Sequence, residues 1–381
     1  MEVRHPLTTR IHSIDRVRGL VMLLMALDHI RDLMHIGSLS GDPTDLLSTT
    51  PALFLTRWVT HLCAPTFVFL SGASAYLFSQ KRCDVKTTRR FLISRGLWLV
   101  VLEFTLVNFG IWFDVHFNVF LMQVIAAIGL GLITLGALLT VSPKVVGVIG
   151  LAVIGLHNFF SLTSPLFAPG LIPLGENHNL LVGYPPIPWI AILFVGFWCG
   201  RWFERPRLDR RRLFAIVGLV CIGVFVGLRT FNIYGDPLPW SDQKNGLFTF
   251  LSFINVTKYP PSLLFDLGML GWMFLLLSSA ECAGNRMTTV LEVYGRVPLF
   301  YYLLHWYVIH PLLFVVLLAQ GFSPADFRFG FNFGRPEGAG GLELWAVYLL
   351  WLGVVGALYP VCRWYGAYKQ RNRDLMWLSY L

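Results

Sequence analysis

Charged residues are scarce in this chain: they make up 13% of its 381 residues, whereas hydrophobic residues make up 55%. A soluble protein of this length needs a much larger share of charge to cover its surface. Apolar runs of about twenty residues recur along the chain, and each is long enough to cross a bilayer. The net charge of +9 lies mostly in short connections, where Lys and Arg orient membrane helices, so it does not indicate nucleic-acid binding.

Several motifs are missing as well. The six cysteines are scattered without paired metal-ligand spacing, so the sequence predicts neither a disulfide framework nor a metal site: Cys63, Cys83, Cys199, Cys221, Cys282 and Cys362. No Ser nucleophile elbow, Walker loop, dinucleotide glycine fingerprint or haem motif occurs. These absences argue against a hydrolase, an ATP-driven pump and a redox enzyme.

The apolar runs predict an all-α, polytopic transmembrane bundle that occupies residues 1–381 as a single domain. Its ten predicted spans are 14–36, 52–78, 91–112, 118–141, 144–161, 186–203, 211–231, 259–280, 293–319 and 342–364. Basic connections alternate with connections that contain no Lys or Arg, such as 37–51 and 162–185, and this alternation places both termini in the cytoplasm. No small-residue cleavage site follows the first apolar run, so we expect a retained helix.

The first span carries ionisable residues in its second half. Asp28 and His29 lie deep in the apolar run, and Arg18 precedes His29 by eleven residues. Eleven residues make about three helical turns, so Arg18 and His29 share one face roughly 16 Å apart. An ionisable group in a span costs about 2.5–3.5 kcal/mol unless it is paired or hydrated, and it therefore indicates a pathway or a reaction site.

Ionisable residues from four other spans fall at a similar depth. A rise of about 1.5 Å per residue from the predicted ends of the spans places five side chains roughly 17–22 Å from the inner surface. They are His29, His61, Glu103, Asp266 and His305. This convergence predicts one polar cavity; the alternative is a set of separate hydrogen bonds between helices.

Each of these residues also has a structural interpretation. His61 follows Arg57 by four residues and can stack on it, and Glu103 can neutralise an arginine such as Arg57. His305 can simply pack beside Tyr301 and Tyr302. The sequence leaves these interpretations open beside the functional ones.

A buried layer of histidine and carboxylate suits two functions. One is removal of a proton from a hydroxyl or amine during acyl transfer, with His29 as the base and Asp28 tuning it. The other is proton coupling in a transporter or flippase, with the layer as a relay, although the sequence shows no inverted repeat.

The motif Ser13–Gly19, with His29 eleven residues after Arg18, resembles the first helix of membrane acyltransferases that O-acylate surface sugars. In those enzymes the matching Arg and His are essential to the active site. The resemblance therefore implies catalysis on His29 and a supporting role for Arg18.

The whole chain resembles more closely a bacterial group related to heparan-alpha-glucosaminide N-acetyltransferase. The stretches that carry this resemblance are Arg57–Gly72, Lys258–Leu263, Gly295–His305 and Trp377–Leu381. It implies an inner-membrane enzyme that takes acetyl-CoA or another acyl-CoA from the cytosol. The expected acceptor is a sugar amine or hydroxyl of a glycan or glycolipid, and no metal is expected.

In this interpretation His29, oriented by Asp28, removes the proton of the acceptor. His61, Glu103 and His305 shape the cavity or polarise the carbonyl. Arg18, Lys258 and Tyr259 bind the acyl-CoA.

One departure from the relatives concerns the route of transfer. The relatives carry their proposed acyl-accepting histidine in the first outer loop, but residues 37–51 contain no histidine. Direct transfer to the acceptor is therefore the predicted route, in place of an acyl-histidine intermediate.

Overall fold

The computed structural model describes residues 10–82, 84–160, 163–282, 284–372 and 374–380, apart from the side chains at 376 and 379. Cys83, the last residue of the predicted span 144–161 and Leu381 lie outside this part of the chain. The α-helices in the described part are, in chain order, α1 (His12–Met34), α2 (Pro51–Thr60), α3 (Cys63–Arg82), α4 (Val85–Leu102), α5 (Asn108–Trp112), α6 (Val124–Ala137), α7 (Pro143–Leu156), α8 (Pro186–Cys199), α9 (Arg207–Phe231), α10 (Gly246–Ile254), α11 (Leu263–Ala280), α12 (Arg286–Gly295), α13 (Pro298–Ala319) and α14 (Leu344–Arg371).

The chain is a helical membrane protein. Seven helical segments in the described part are long and apolar enough to cross a bilayer: Pro51–Arg82, Val85–Trp112, Pro186–Glu204, Arg207–Phe231, Leu263–Ala280, Pro298–Ala319 and Leu344–Arg371. The helix α1 has 23 residues but carries several charges, and α6 and α7 have 14 residues each. The predicted count of ten spans includes these three helices, and it stays a prediction, as does the cytoplasmic position of both termini.

A small sheet corrects the all-α expectation. Its strands are β1 (Val119–Met122), β2 (Gly170–Pro173) and β3 (Asn179–Val182), in the order β1-β3-β2. The strand β3 pairs with β1 in parallel, from Val119↔Asn179, and with β2 antiparallel, from Gly170↔Val182. The residues of β1 were predicted to begin a span at 118, and that boundary was wrong because a four-residue apolar run has the same composition as a helix end.

The helices α2 and α3 form one long segment with a break at His61 and Leu62. Pro65 stands in the first turn of α3, where it has no N–H to donate to the carbonyl of His61. The break separates Arg57 and Thr60, on the last turn of α2, from the apolar helix α3. Polar groups therefore lie inside the bundle at this break, at the level of His61.

Close backbone contacts hold the helices around the site. A Cβ on Gly19 of α1 would overlap the carbonyl oxygen of Leu291 in α12, and a Cβ on Gly196 of α8 would overlap the carbonyl oxygen of Phe69 in α3. Small residues permit this kind of approach between membrane helices. Gly223 and Gly227, four residues apart on α9, have nothing within 4 Å of such a Cβ.

One side of the bundle, which we call the basic end, comprises the start of α1, the α3–α4 and α8–α9 connections, and residues 280–292. Ion pairs join several of these helix ends. Arg16 donates to Glu292 Oε1 at 2.9 Å and to the carbonyls of Ala280 and Cys282. Glu281 accepts from Arg210 Nη2 at 2.8 Å and from Ser13 Oγ at 2.7 Å. These contacts fix α1 against the ends of α9 and α11 and against α12.

Candidate active site

Asp28 is the centre of a buried set of charge-assisted hydrogen bonds. Its Oδ1 accepts from Arg31 Nη2 at 2.7 Å and from Thr60 Oγ1 at 2.6 Å, and its Oδ2 accepts from Arg57 Nη1 at 2.6 Å. Asp28 and Arg31 are 7% and 1% exposed. Both carboxylate oxygens are therefore occupied by groups from α1 and α2.

Among the described contacts, Asp28 makes no hydrogen bond to His29, the residue that the sequence predicted it to orient. Consecutive residues on a helix point about 100° apart, so these two side chains face different neighbours. Asp28 faces α2, while the His29 ring lies 4.2 Å from the ring of Trp306 and 5.2 Å from that of His305, both on α13. Asp28 therefore acts on His29 through charge, and the position of the imidazole is set by α13.

Two further charged residues, Asp32 and Lys258, extend the charges around Asp28. Arg31 Nη2 also lies 2.7 Å from Asp32, whose side chain is 41% exposed at the end of the bundle opposite the basic end. Lys258, 7% exposed, lies within electrostatic range of Asp28 and His29. We call Asp28, Arg31, Asp32, Arg57 and Lys258 the charged cluster.

Tyr259 borders this cluster. Its hydroxyl lies 3.4 Å from that of Tyr184, and the Lys258 ammonium lies 5.0 Å from the centre of its ring. Lys258 and Tyr259 thus lie with the charged cluster rather than with Arg18.

His305 has a defined tautomer. Its Nδ1 lies 3.2 Å from the carbonyl oxygen of Tyr301, one turn earlier, so Nδ1 carries the proton and donates it. The opposite nitrogen, Nε2, is buried with no hydrogen-bond partner in the described structure. A buried imidazole nitrogen with a free lone pair is a proton acceptor, and it stands beside His29.

Glu103 lies near these histidines but is engaged elsewhere. Its Oε2 accepts the backbone N–H of Ala126 at 2.9 Å, in the first turn of α6. Gln123, the N-cap of α6, makes no capping bond with its side chain, so Glu103, the residue directly after α4, caps this helix. In the described part of the chain the other oxygen, Oε1, is buried without a hydrogen-bond partner, and the carboxylate is within electrostatic range of Tyr302, whose ring lies 5.5 Å from that of His305.

The remaining two members of the predicted layer are less directly connected. His61 is 5% exposed, packs its ring 5.7 Å from Phe265 and lies within electrostatic range of Arg57 and Lys258. Asp266 is 2% exposed, and neither of its oxygens has a hydrogen-bond partner in the described structure. The described contacts do not connect Asp266 with the histidines.

A cavity of about 330 Å³ runs beside α1 on the side of the basic end. Arg18 lines it and donates from Nη2 to the Leu70 carbonyl at 3.0 Å and to Ser74 Oγ at 2.6 Å. Its other lining residues include Met22, Met25, Phe78, Phe91, Arg95, Val124, Ile125 and Tyr302. The cavity therefore extends from two arginines toward Tyr302, the neighbour of His305, and its volume falls in the range of about 300–1,000 Å³ typical of small-molecule sites.

The family model for heparan-alpha-glucosaminide N-acetyltransferase, catalytic, matches residues 10–235 of the chain. The chain belongs to this family. A search of curated proteins found no match. This family consists of acetyl-CoA-dependent enzymes, and membership in it supports membrane N-acetyltransferase activity.

The match covers Arg18, the charged residues of α1 and α2, and Glu103. It ends before Lys258, Tyr259, Tyr302 and His305, so the site as folded contains residues from both sides of position 235.

Sequence reasoning missed several of these contacts. Arg95 lines the cavity from the middle of α4, and a cation inside an apolar run was the signal that could have identified it. Arg57 was considered a partner for Glu103, but it pairs with Asp28. Trp306 gave no signal, because an aromatic residue in a membrane helix is usually packing.

Proposed function

We propose that this chain is a membrane acyltransferase that moves an acetyl group from cytosolic acetyl-CoA to a sugar amine or hydroxyl of a glycan or glycolipid. The observation that carries the proposal is the alignment along α1: a cavity with arginines at one end, an imidazole pair beyond its other end, and a charged cluster that reaches the opposite end of the bundle. The family supports N-acetyl transfer, and the donor, the acceptor and the roles of the residues belong to the proposal.

The cavity suits an acyl-CoA that enters from the basic end. Guanidinium groups bind phosphate oxygens well, and Arg18 and Arg95 both line the cavity. The wall between them and Tyr302 is largely apolar, with Met22, Met25 and Ile125, which suits an extended arm that carries a thioester. In this arrangement the acyl carbon comes to rest near Tyr302.

The imidazole pair supplies the base. The acceptor nitrogen or oxygen attacks the thioester carbonyl, its proton goes to the His29–His305 pair, which acts as one unit, and the C–S bond breaks. The imidazolium then returns the proton to the CoA thiolate, so free CoA thiol and the acetylated sugar leave. The centres of the His29 and His305 rings lie 5.2 Å apart, so both imidazoles have access to the same reacting atoms.

The charged cluster and Tyr259 suit the acceptor side. They lie at the end of α1 opposite Arg18, and the half-exposed Asp32 connects them to solvent beyond that end. Lys258 and Tyr259, first assigned to acyl-CoA binding, are therefore proposed to face the acceptor. His61 and Glu103 are proposed to shape the cavity.

The second candidate is a proton-coupled transporter or flippase. The observation that favours it is Asp266, a buried carboxylate without a hydrogen-bond partner in the described structure, which is a suitable relay group. This candidate requires proton movement across the membrane and no consumption of acetyl-CoA.

The deciding experiment uses purified full-length protein with acetyl-labelled acetyl-CoA, with and without glucosamine. We expect release of CoA thiol and formation of labelled N-acetylglucosamine, both reduced in His29→Ala by the roughly 10²–10⁴-fold typical of losing a general base. His178→Ala, at an exposed histidine in the connection between β2 and β3, is the matched control and should behave as wild type. Unaltered acetyl-CoA in the presence of wild-type protein, combined with acidification inside reconstituted vesicles, would support the transporter instead.

A further inference from the structure

The segment between α9 and α11 brings Lys258 and Tyr259 to the charged cluster. It starts at Asn232, contains α10 and ends at Ser262, and all but its first residues lie beyond the family match at 235. Two turns of this segment, at 235–238 and at 257–262, meet at a single buried side chain, that of Asp236. The side chain is 1% exposed.

Asp236 accepts four hydrogen bonds from the segment. Its Oδ1 accepts from the Leu238 N–H at 3.0 Å and from Thr257 Oγ1 at 3.1 Å. Its Oδ2 accepts from the Thr257 N–H at 2.8 Å and from Ser262 Oγ at 2.6 Å. Thr257 and Ser262 are the residues immediately before and after Lys258–Pro261, so one carboxylate holds both ends of the turn that presents Lys258 and Tyr259.

Further contacts fix Asp236 itself to the bundle. Arg229, on the last turn of α9, is 2% exposed and its Nη1 lies 3.9 Å from Asp236 Oδ1. The same guanidinium donates to four backbone carbonyls of the segment, those of Leu238, Ser252, Phe253 and Asn255. The carbonyl of Gly235 accepts the N–H of Leu264 at the start of α11. These contacts hold the turn at 257–262 in place relative to both α9 and α11.

We propose that Asp236 is a positioning residue for acetyl transfer: it sets the place of Lys258 and Tyr259 at the acceptor side of the site. This inference rests on the proposed function for its kinetic consequence. Asp236 does not touch the reacting atoms. It acts through the Lys258–Pro261 turn. The ammonium group of Lys258 in this turn lies within electrostatic range of Asp28 and His29.

The test variant is Asp236→Asn. An amide has one acceptor oxygen in place of two, and its NH₂ group would face two of the four donors, so at least two of the hydrogen bonds are lost. Hydrogen exchange of the peptide that covers 256–263 should become faster, because the amides of Thr257 and Ser262 are bonded to Asp236 and to the Thr257 carbonyl. The value of kcat/KM for glucosamine should fall roughly 10- to 100-fold, the cost of misplacing a substrate-contacting group by about 1 Å, whereas the dissociation constant of CoA should stay within about twofold.

The matched control is Asp326→Asn. Asp326 is an exposed aspartate of another outer connection, and it also accepts from a serine hydroxyl and a backbone N–H. It should leave both exchange at 256–263 and transfer unchanged. Thr257→Val, which removes only the 3.1 Å bond to Asp236, is the milder variant if Asp236→Asn does not fold, and it should shift the same two measurements in the same direction.

Faster exchange with an unchanged kcat/KM for glucosamine would overturn the positioning role. Unchanged exchange in Asp236→Asn would show that Asp236 does not hold the turn at 257–262. An equal loss of CoA binding and of transfer would indicate general loosening of the bundle and would also overturn the proposal. Absence of CoA release by the wild type would contradict the proposed function instead, and the exchange comparison would still decide whether Asp236 holds the turn.

Discussion

At the scale of single residues, the site is organised by the neutralisation of Asp28. This carboxylate takes bonds from Arg31 and Arg57, and both arginines lie in helices of the bundle. Removal of one member of a buried ion pair leaves the other charge without compensation, which costs about 3–5 kcal/mol. The sequence alone predicted a milder role, in which Asp28 only tunes the neighbouring imidazole.

We therefore expect Asp28→Asn to destabilise the protein strongly as well as to reduce transfer. The measurement is the thermal unfolding midpoint of the purified protein in detergent. Asp32→Asn is the control, because Asp32 is 41% exposed, bonds one arginine and should cost at most about 1 kcal/mol. An Asp28→Asn protein that melts like the wild type would show that the arginines are neutralised by other groups.

A second prediction at this scale concerns the imidazole pair. If His29 and His305 share one proton-transfer task, their losses will not add, because residues that act as a unit are strongly non-additive. His29→Ala and His305→Ala should each lower acetyl transfer roughly 10²–10⁴-fold. The rate of the double variant should lie within about tenfold of the rate of the less active single variant. Rates of CoA release under saturating acetyl-CoA measure this. Multiplicative losses would indicate two independent roles.

The residue-level predictions from the sequence depended on geometry within single helices. The spacing placed Arg18 and His29 on one face of α1; Arg18 lines the cavity, and His29 is not among the described residues that line it. The partner of each polar side chain was not accessible in this way, because it depends on how neighbouring helices are rotated. That is why Arg57 was considered for Glu103 and was found at Asp28.

At the scale of elements, Glu103 connects two helices. It begins a five-residue π-helical turn, Glu103–Val107, between α4 and α5, and it caps α6 through the N–H of Ala126. A π-turn inserts an extra residue into the helix and turns the following side chains, a feature found often at functional sites. Glu103 thus has a structural task that is independent of any proton transfer.

This task separates two substitutions. Glu103→Gln keeps a carbonyl oxygen for the Ala126 N–H, so the cap persists and both stability and transfer should stay close to wild type. Glu103→Ala removes the cap and should cost about 0.5–2 kcal/mol. Unfolding midpoints and CoA release of the two variants, measured side by side, decide the matter. A Glu103→Gln protein that folds normally and is as inactive as His29→Ala would assign the carboxyl group to proton transfer.

The long helices were predictable because each is a continuous apolar run, whereas the shorter elements were not. The segment 118–141 reads as one run, yet its first residues form β1 and pair with β3 from a connection some sixty residues away. The helices α10 and α12 have nine and ten residues, and their apolar faces are set by what packs on them. Such elements depend on non-local contacts that no local window contains.

At the scale of the whole molecule, the two halves of the site lie on opposite ends of α1. The arginine-lined cavity adjoins the basic end, and the charged cluster with Lys258 and Tyr259 adjoins the other end. A cytosolic donor can use this arrangement only if the basic end faces the cytoplasm. The preference of Lys and Arg for cytoplasmic connections predicts the same orientation.

Single-cysteine labelling tests this orientation. Cys282 is exposed at the basic end, and Ser40 is exposed in the connection that follows α1 at the other end. One variant keeps Cys282 alone, and the second replaces all six native cysteines and carries Ser40→Cys. With a membrane-impermeant maleimide, intact spheroplasts should label only the Ser40→Cys protein, because its thiol faces outward. Inverted vesicles should label only Cys282, because their cytoplasmic face is outside.

Labelling of both thiols in both preparations would show leaky membranes and is excluded by a cytosolic marker protein that stays unlabelled in spheroplasts. The reverse pattern would place Arg18 and Arg95 on the outer side, and a cytosolic acetyl-CoA could then not reach the cavity from the basic end.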